Sequence, residues 1–452
     1  MPTSKHMAEC PQSNSNMVAR RFGLTGLAAA IVLGAVLRVL WVHDIEFKAD
    51  EAWTFQQTRE AVHSGFLTEL GMPCSAGFRN PGMSIWVFRL LGKIAGADDP
   101  TQLARAVQIL NIAAIVLLVI FAWGCVDVEE REPWLWATAL ASVNPMAIVL
   151  QRKIWPPSVL PIFSLAMLAG WWRRERWWGA FAWGLLGVFL GQIHMAGFFF
   201  AAGFVAWAIL FDRRQVAWGG WWFGGSVGTL PMVGWLGYML TGPRGSPSIG
   251  RWVHLMEFKF WIRWVKDPLG FGLDYVLGDQ FEDFLRYPII DGRPSHFVWF
   301  LQTLLALLGV SLFLHAGWHR WQERACRFCL DSGRESPSRF TQNAALWGFG
   351  FLLTASGFYI QRHYLVVTFP LEFLWLAHVA LAPSGKPARN LRLGRALLLA
   401  LCFGQLLVSA QFLGYIHVNQ GAKNGDYGIC YGATEHVSVQ RPAAPARGTT
   451  GE

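Results

Sequence analysis

The sequence predicts an all-α, polytopic membrane protein with about eleven transmembrane helices and two long extracytoplasmic loops that carry interfacial juxtamembrane helices. Three observations lead there. Of 452 residues, 53% are hydrophobic and only 15% charged, whereas an ordinary soluble domain is about a quarter charged. The apolar residues gather into runs long enough to cross a bilayer, which takes about twenty residues. Lys and Arg collect in alternate gaps between those runs, so the net charge of +9 reads as topology under the positive-inside rule, not as a nucleic-acid footprint.

The runs fall at 22–42, 104–125, 133–151, 155–172, 177–192, 194–211, 217–240, 296–317, 342–360, 363–382 and 395–416. The polar start MPTSKHMAECPQSNSNMVARR precedes a run too long for a signal-peptide core and without a clear small-residue cleavage site. Residues 1–21 therefore read as a cytoplasmic tail and the first span as retained. With that end inside, the inner gaps hold Arg20 and Arg21; Arg173, Arg174 and Arg176; Arg213 and Arg214; HRWQERACRF with Arg334 and Arg339; and GKPARNLRLGR. The short outer gaps hold only Arg152, Lys153 and Arg362. This asymmetry sets the orientation, because positive charge in short loops resists translocation. The acidic inner gap VDVEERE runs against it.

Two polar stretches, 43–103 and 241–295, then face outward from a transmembrane domain spanning 22–416. In the first, PGMSIWVFRLLGKIAG opens on Pro and sets Arg89 and Lys93 on one side of a helix of about fourteen residues, too short to span. In the second, Val253, Met256, Phe260 and Trp264 recur at helical spacing among Arg251, Lys259, Arg263 and Lys266, again an interfacial pattern. Residues 417–452 form an outer tail, ending QRPAAPARGTTGE and expected to be partly disordered. Cys326 and Cys329 lack the second pair or the His ligands that a zinc site needs, so no metal ligand set is assigned. Cys74 and Cys430 share the outer side and a disulfide between them stays open.

The candidate chemistry sits at the outer ends of the spans. Asp50 and Glu51 follow the first span by about eight residues, at what reads as a helix start. They suit a general base at head-group level, or else Asp50 caps the helix and Glu51 complements its dipole. Arg152 and Lys153 stand in a gap so short that they call for an anionic partner such as a lipid phosphate, or snorkel to head groups. Arg362, His363 and Tyr364 lie at the same face, and Arg offers phosphate a planar fork of two donors. His194 is a substrate contact or a packing residue. Arg38, inside the first span near its outer end, is functional or snorkels. Asp274, Asp279, Glu282 and Asp283 hold an acceptor or cation, or form a solvated face. No Gly-rich phosphate cradle, HExxH or GxSxG context is present.

In order along the chain come an apolar span ending in Arg38 and followed by the tripeptide DEA, then RNPGMSIWVFRLLG, then NP before a short basic gap, and finally RHYLVVTFP. This series, over roughly residues 30–380, resembles the GT-C membrane glycosyltransferases. Within them it is most similar to the branch of protein O-mannosyltransferases and the lipid A aminoarabinose transferase. The resemblance implies transfer of a sugar from a polyprenyl-phosphate donor to an outer acceptor, with inversion at the anomeric carbon. It implies Asp50 as the base with Glu51 beside it, and Arg362 and Tyr364 as the late RY-type motif, with His363 between them. Relatives often carry HPPL where this chain has Arg79, Asn80, Pro81 and Gly82. Arg79 and Asn80 then stand as substrate contacts in place of a histidine.

Asp50 would take the acceptor's proton, while Arg152, Lys153, Arg362, His363 and Tyr364 would steady the departing phosphate. The partners implied are the lipid-linked donor, membrane lipids and an unidentified acceptor; no cofactor is required, and a divalent cation stays open. The alternative is a flippase or transporter of a lipid-linked anion. That reading predicts charges along a mid-depth path and matching breaks in two repeated halves. Here the charges keep to the edges.

Overall fold

A computed structural model describes residues 12–73, 78–241, 257–322, 333, 336–381 and 388–434. Cys74, Arg251, Val253, Met256, Cys326, Cys329, Arg334 and the tail beyond 434 lie outside the described residues, and with them the expectations they carry.

Each predicted run emerges as a helix or as a helix interrupted. The first forms α1 (Gln12–Val39), and the outer loop after it contributes α2 (Ala49–Ser64), strands β1 (Leu70–Pro73) and β2 (Arg79–Pro81), and α3 (Met83–Ala95). Next come α4 (Pro100–Gly124), α5 (Arg131–Val143), α6 (Pro145–Leu150), α7 (Leu160–Trp172), α8 (Trp177–Ile193), α9 (Ala196–Phe211), α10 (Trp218–Thr229) and α11 (Val233–Thr241). The second outer loop holds α12 (Lys259–Lys266), α13 (Leu273–Leu277), α14 (Phe281–Arg286) and the hairpin β3 (Ile289–Ile290) with β4 (Arg293–Pro294). The chain closes with α15 (Phe297–Gln322), α16 (Pro337–Asn343), α17 (Gly350–Ala355), α18 (Leu371–Leu381), α19 (Ala388–Asn419), β5 (Gly421–Ala422) and β6 (Gly428–Ile429).

Among the described residues, three helices are long and apolar enough to cross a membrane: α4, α15 and α19. A fourth crossing arises if the 3₁₀ turn 362–368 is counted with α18, to which it is bent by 73°. The other predicted spans are shorter helices or pairs broken at Pro or Asn, residues that remove a helical donor or compete for one. The break at Asn144 and Pro145 has an evident cause. Ala147 N donates to the Asn144 side-chain oxygen at 3.0 Å while Asn144 Nδ2 donates to Asp267 O at 2.8 Å and to Gln405 Oε1 at 3.0 Å. One amide thus starts α6, holds the second outer loop and ties in α19.

Arg38 answers its own question. It is fully buried, and its guanidinium donates to Gly34 O, Ser142 O, Ala141 O and Gln151 Oε1 at 2.6–3.0 Å. It joins α1 to the C-terminal carbonyls of α5, which have no helical partner of their own. Close packing of α10 on α8 rests on the glycine series Gly220, Gly224 and Gly228; a Cβ on Gly228 would stand 3.0 Å from Leu185 O. Small residues at this spacing let apolar helices approach closely.

The two predicted juxtamembrane helices are present. α3 buries Ile85 and Phe88 and exposes Leu90 and Ile94, an outward apolar face suited to an interface. Its Arg89 turns inward, donating to Ala61 O at 2.8 Å and Gly65 O at 2.9 Å, so it ends α2 instead of flanking lipid with Lys93. In α12 the expected interfacial face is turned inward at Phe260 and Trp264, which are buried in the protein, and Ile262 is exposed instead. The tail departs from expectation: residues 420–434 fold back in a β5–β6 hairpin instead of leaving the body at His417.

Arg38→Leu should cost about 3 kcal/mol, because several buried acceptors lose their donor at once. Thermal unfolding in detergent measures this, and an unchanged midpoint would contradict the role assigned to Arg38.

Candidate functional site

The site begins at the start of α2. Lys48 occupies the cap position, and its backbone N–H donates to Glu51 Oε2 at 3.1 Å. That bond turns Glu51 inward, where 1% of it is exposed, and leaves Asp50 facing solvent. Asp50 makes no hydrogen bond or ion pair with the described residues, so capping is done by its neighbours and its carboxylate stays open. Glu51 has its carboxyl pushed up to about 7, first by burial and then by the charge of Glu46, against the opposing pull of Lys153 and Lys48.

Glu46 is equally buried, at 1% exposed, and is held by two lysines. Lys48 Nζ lies 2.7 Å from one carboxylate oxygen, and Lys153 pairs with the other. Lys153 Nζ also stands 5.2 Å from the centre of the Trp155 ring. Its neighbour Arg152 is differently occupied, donating to Leu37 O at 2.9 Å, Leu40 O at 2.6 Å and Trp41 O at 3.0 Å. Both terminal nitrogens of that guanidinium are committed to carbonyls at and just beyond the end of α1.

Trp155 leads on to the late motif. His363 meets Trp155 at 4.5 Å between ring centres, His194 at 5.1 Å and Tyr364 at 4.9 Å, with His194 and Tyr364 5.3 Å apart. His194 also accepts the Ala196 amide at 3.3 Å, which orients its ring. Arg362 stands beside them, 6% exposed, with Nη2 2.9 Å from Asp267 Oδ1, Nη1 on the Gly272 carbonyl and the guanidinium 5.7 Å from the centre of the Tyr275 ring. Gly272 has a φ of 119°, and a Cβ there would run into the guanidinium, so glycine is required twice over. Behind this pair lies a cavity of about 40 Å³ lined in part by Asn144, Gln151, Asp267, Arg362 and Glu372. It has room for a few waters among polar partners.

The sequence-predicted residues thus divide into groups. Glu51 and Lys153 belong to one charged cluster; Arg362, His363, Tyr364 and His194 adjoin it through Trp155. Arg79, on β2, packs against α2: its guanidinium is 5.9 Å from the centre of the Trp53 ring, and its Nε donates to Gly71 O at 2.9 Å. Trp53 follows Asp50 by three residues and so shares its helix face, placing Arg79 on Asp50's side. Asn80 is half-buried beside it on β2. Of the acidic set, Glu282 and Asp283 are exposed beside Arg286, while Asp274 comes within 4.0 Å of Arg362. Cys430 is buried with its thiol 3.5 Å from Asp44 O.

Sequence reasoning missed Glu46, Lys48, Trp155, Asp267 and Tyr275 as site members. Lys48 alternates with acids in HDIEFKADE, and Asp267 stands in a KDP turn of the second loop, yet nothing in either stretch names a partner on another helix. Chemically, the arrangement offers the exposed carboxylate of Asp50 at the start of α2 and, set among aromatic rings, the cations Lys153 and Arg362, paired with Glu46 and Asp267. Among the described residues, no group of three or more His, Cys, Asp or Glu could hold a metal ion.

No protein-family model matches this chain, and no curated protein matches it. Solved structures do. ArnT from Cupriavidus metallidurans, in a crystal structure bound to undecaprenyl phosphate, is 14% identical, with 88% of this chain and 78% of that chain covered at a TM-score of 0.49. At that level the likeness concerns the path of the chain.

Between pH about 5 and 7 the native state keeps a proton on Glu51 that the unfolded chain has released, so this group makes stability fall as pH rises through that window. Glu51→Gln should flatten that part of the melting-temperature profile in detergent; the same slope in both proteins would remove Glu51 as its source.

Proposed function

We propose that the protein is a membrane glycosyltransferase that moves a sugar from a polyprenyl-phosphate donor to an acceptor on the extracytoplasmic side. The observation that carries the proposal is the unpaired carboxylate of Asp50, set one residue from a buried acid–lysine cluster that leads through Trp155 to Arg362 and His363. Four stretches distant in sequence meet there, and the charge pattern predicts all four on one membrane face.

In the reaction, Asp50 accepts the proton of an acceptor hydroxyl as that oxygen attacks the anomeric carbon. The bond from that carbon to the phosphate oxygen breaks on the opposite side, its electron pair leaves with the polyprenyl phosphate, and configuration inverts. Proton transfer of this kind is worth about 10² to 10⁴ in rate. Lys153 and Arg362 face the phosphate where charge accumulates, in surroundings drier than bulk water that strengthen their effect. Arg152, expected on the phosphate, serves it indirectly by fixing the end of α1 and the turn that presents Lys153. His194, His363 and Tyr364 pack with Trp155 as a ring-lined wall for the sugar, and Arg79 with Asn80 borders the acceptor's approach to Asp50. Glu51, buried and close to half-protonated near neutral pH, cannot reach an acceptor from where it lies. It tunes the cluster behind the base.

The proposal predicts that Asp50→Asn lowers release of polyprenyl phosphate from a labelled lipid-linked sugar by about 10²-fold or more while leaving donor binding intact. Arg362→Lys, which keeps the charge but loses the fork, should raise the donor KM. Equal turnover by purified wild type and Asp50→Asn would end the catalytic assignment.

A further inference from the structure

The chain beyond α19 has no part in the reaction described above, yet it is built into the site. On one flank of the β5–β6 hairpin, Tyr431 N donates to Ile45 O at 3.0 Å, Glu46 and Cys430 pair as an isolated antiparallel bridge, and the Tyr427 hydroxyl donates to Asp44 O. Asp426 places its carboxylate 3.2 Å from Lys48 Nζ, and its carbonyl accepts from the same ammonium. His417, stacked on Trp41 at 4.2 Å, pairs with Asp44 at 2.7 Å. On the other flank Tyr427 N donates to Val276 O at 2.9 Å and Asn424 N to Gln280 Oε1 at 3.2 Å.

Tyr427 therefore touches both outer loops with one residue: its amide holds the second loop one position from Tyr275, and its hydroxyl holds the first loop two positions before Glu46. It is 4% exposed, so water does not compete for either bond. Neither loop is anchored there by a long helix. Between α1 and α2 lie only a 3₁₀ turn at Val42–Asp44 and the irregular residues 45–48, and α13 spans only Leu273–Leu277 between Gly272 and Gly278, both with positive φ. Their relative position has to come from a third element.

We propose that Tyr427 and Asp426 are positioning residues, a brace from the C-terminal tail that sets the gap between the acid-bearing start of α2 and the wall of Tyr275 and Arg362. This deepens the transferase reading and rests on it for its catalytic consequence. Asp426 acts through Lys48, holding it on Glu46 and so holding the cap of α2; Tyr427 acts through the two loop backbones. Misplacement by about 1 Å far from the reacting atoms can cost as much as 10² in rate, and a brace between short, irregular segments controls a displacement of that size.

The test uses the full chain in detergent or nanodiscs. Tyr427→Phe keeps the ring and the amide and loses only the hydroxyl. It should lower kcat for donor cleavage about tenfold or more with the donor KM within about twofold. Asp426→Asn should act in the same direction, and Asp426→Glu should restore most of the loss. Hydrogen exchange gives a readout independent of activity: in Tyr427→Phe the amides of 44–51 should exchange faster while those in α4 and α15 stay as in wild type. Wild-type kcat, KM and exchange in both Tyr427→Phe and Asp426→Asn would overturn the brace, as would faster exchange spread evenly over α4 and α15. A wild-type enzyme that cleaves no lipid-linked sugar would instead overturn the transferase reading, and the exchange result alone would then decide the brace.

Discussion

The carboxylate of Glu46, almost wholly withdrawn from water, is the constraint from which the rest of the site follows. An isolated charge in that position would be costly by several kcal/mol. Two lysines prevent this, Lys48 from its own loop and Lys153 from the turn after α6. Lys153 comes from the turn where α6 ends, and in the same turn Arg152 covers carbonyls at the end of α1. One buried acid thus draws α1, α6 and the start of α2 into a single polar knot at the end of a bundle that is otherwise apolar.

That knot separates two adjacent carboxylates. Glu51 is pulled into it as the capping-box partner of Lys48, and its charged form is disfavoured by burial and by Glu46. Asp50, one residue earlier, points the other way. Neighbouring acids held in unlike surroundings can take unlike roles, a pattern that recurs where acid–base chemistry is done. Here the division comes from the helical turn itself, since positions i and i+1 face about 100° apart.

Breaks in the helices build the remainder. In a bilayer every freed backbone group needs a partner, so a Pro or Asn break is tolerated where side chains supply one. Asn144, Gln405 and Arg38 do so beneath the site. The break before α18 brings Arg362 and His363 out of the helical row, His363 against Trp155 and Arg362 against Asp267 and Tyr275. Irregular backbone here both provides the functional groups and carries their supports.

The helical, membrane-spanning class, the runs that became helices and the loop helix α3 were all legible in the sequence. They depend on composition, charge bias and periodicity, which are local and additive along a chain. What the sequence could not disclose was which charges neutralise one another. Arg152 and Lys153 read as an equivalent pair, yet one caps a helix and the other pairs with a buried acid. Arg38 read as functional or as snorkelling, and its guanidinium instead donates to carbonyls of α1 and α5 and to the Gln151 side chain. The tail after His417 read as partly disordered from its Pro/Ala/Arg-rich end, and the order of residues 420–434 comes from bonds to Asp44, Ile45 and Val276 that no local pattern announces. Pairings of this kind are decided by long-range packing and by burial, which remove water and oblige each polar group to find a partner, and only the tertiary structure names that partner.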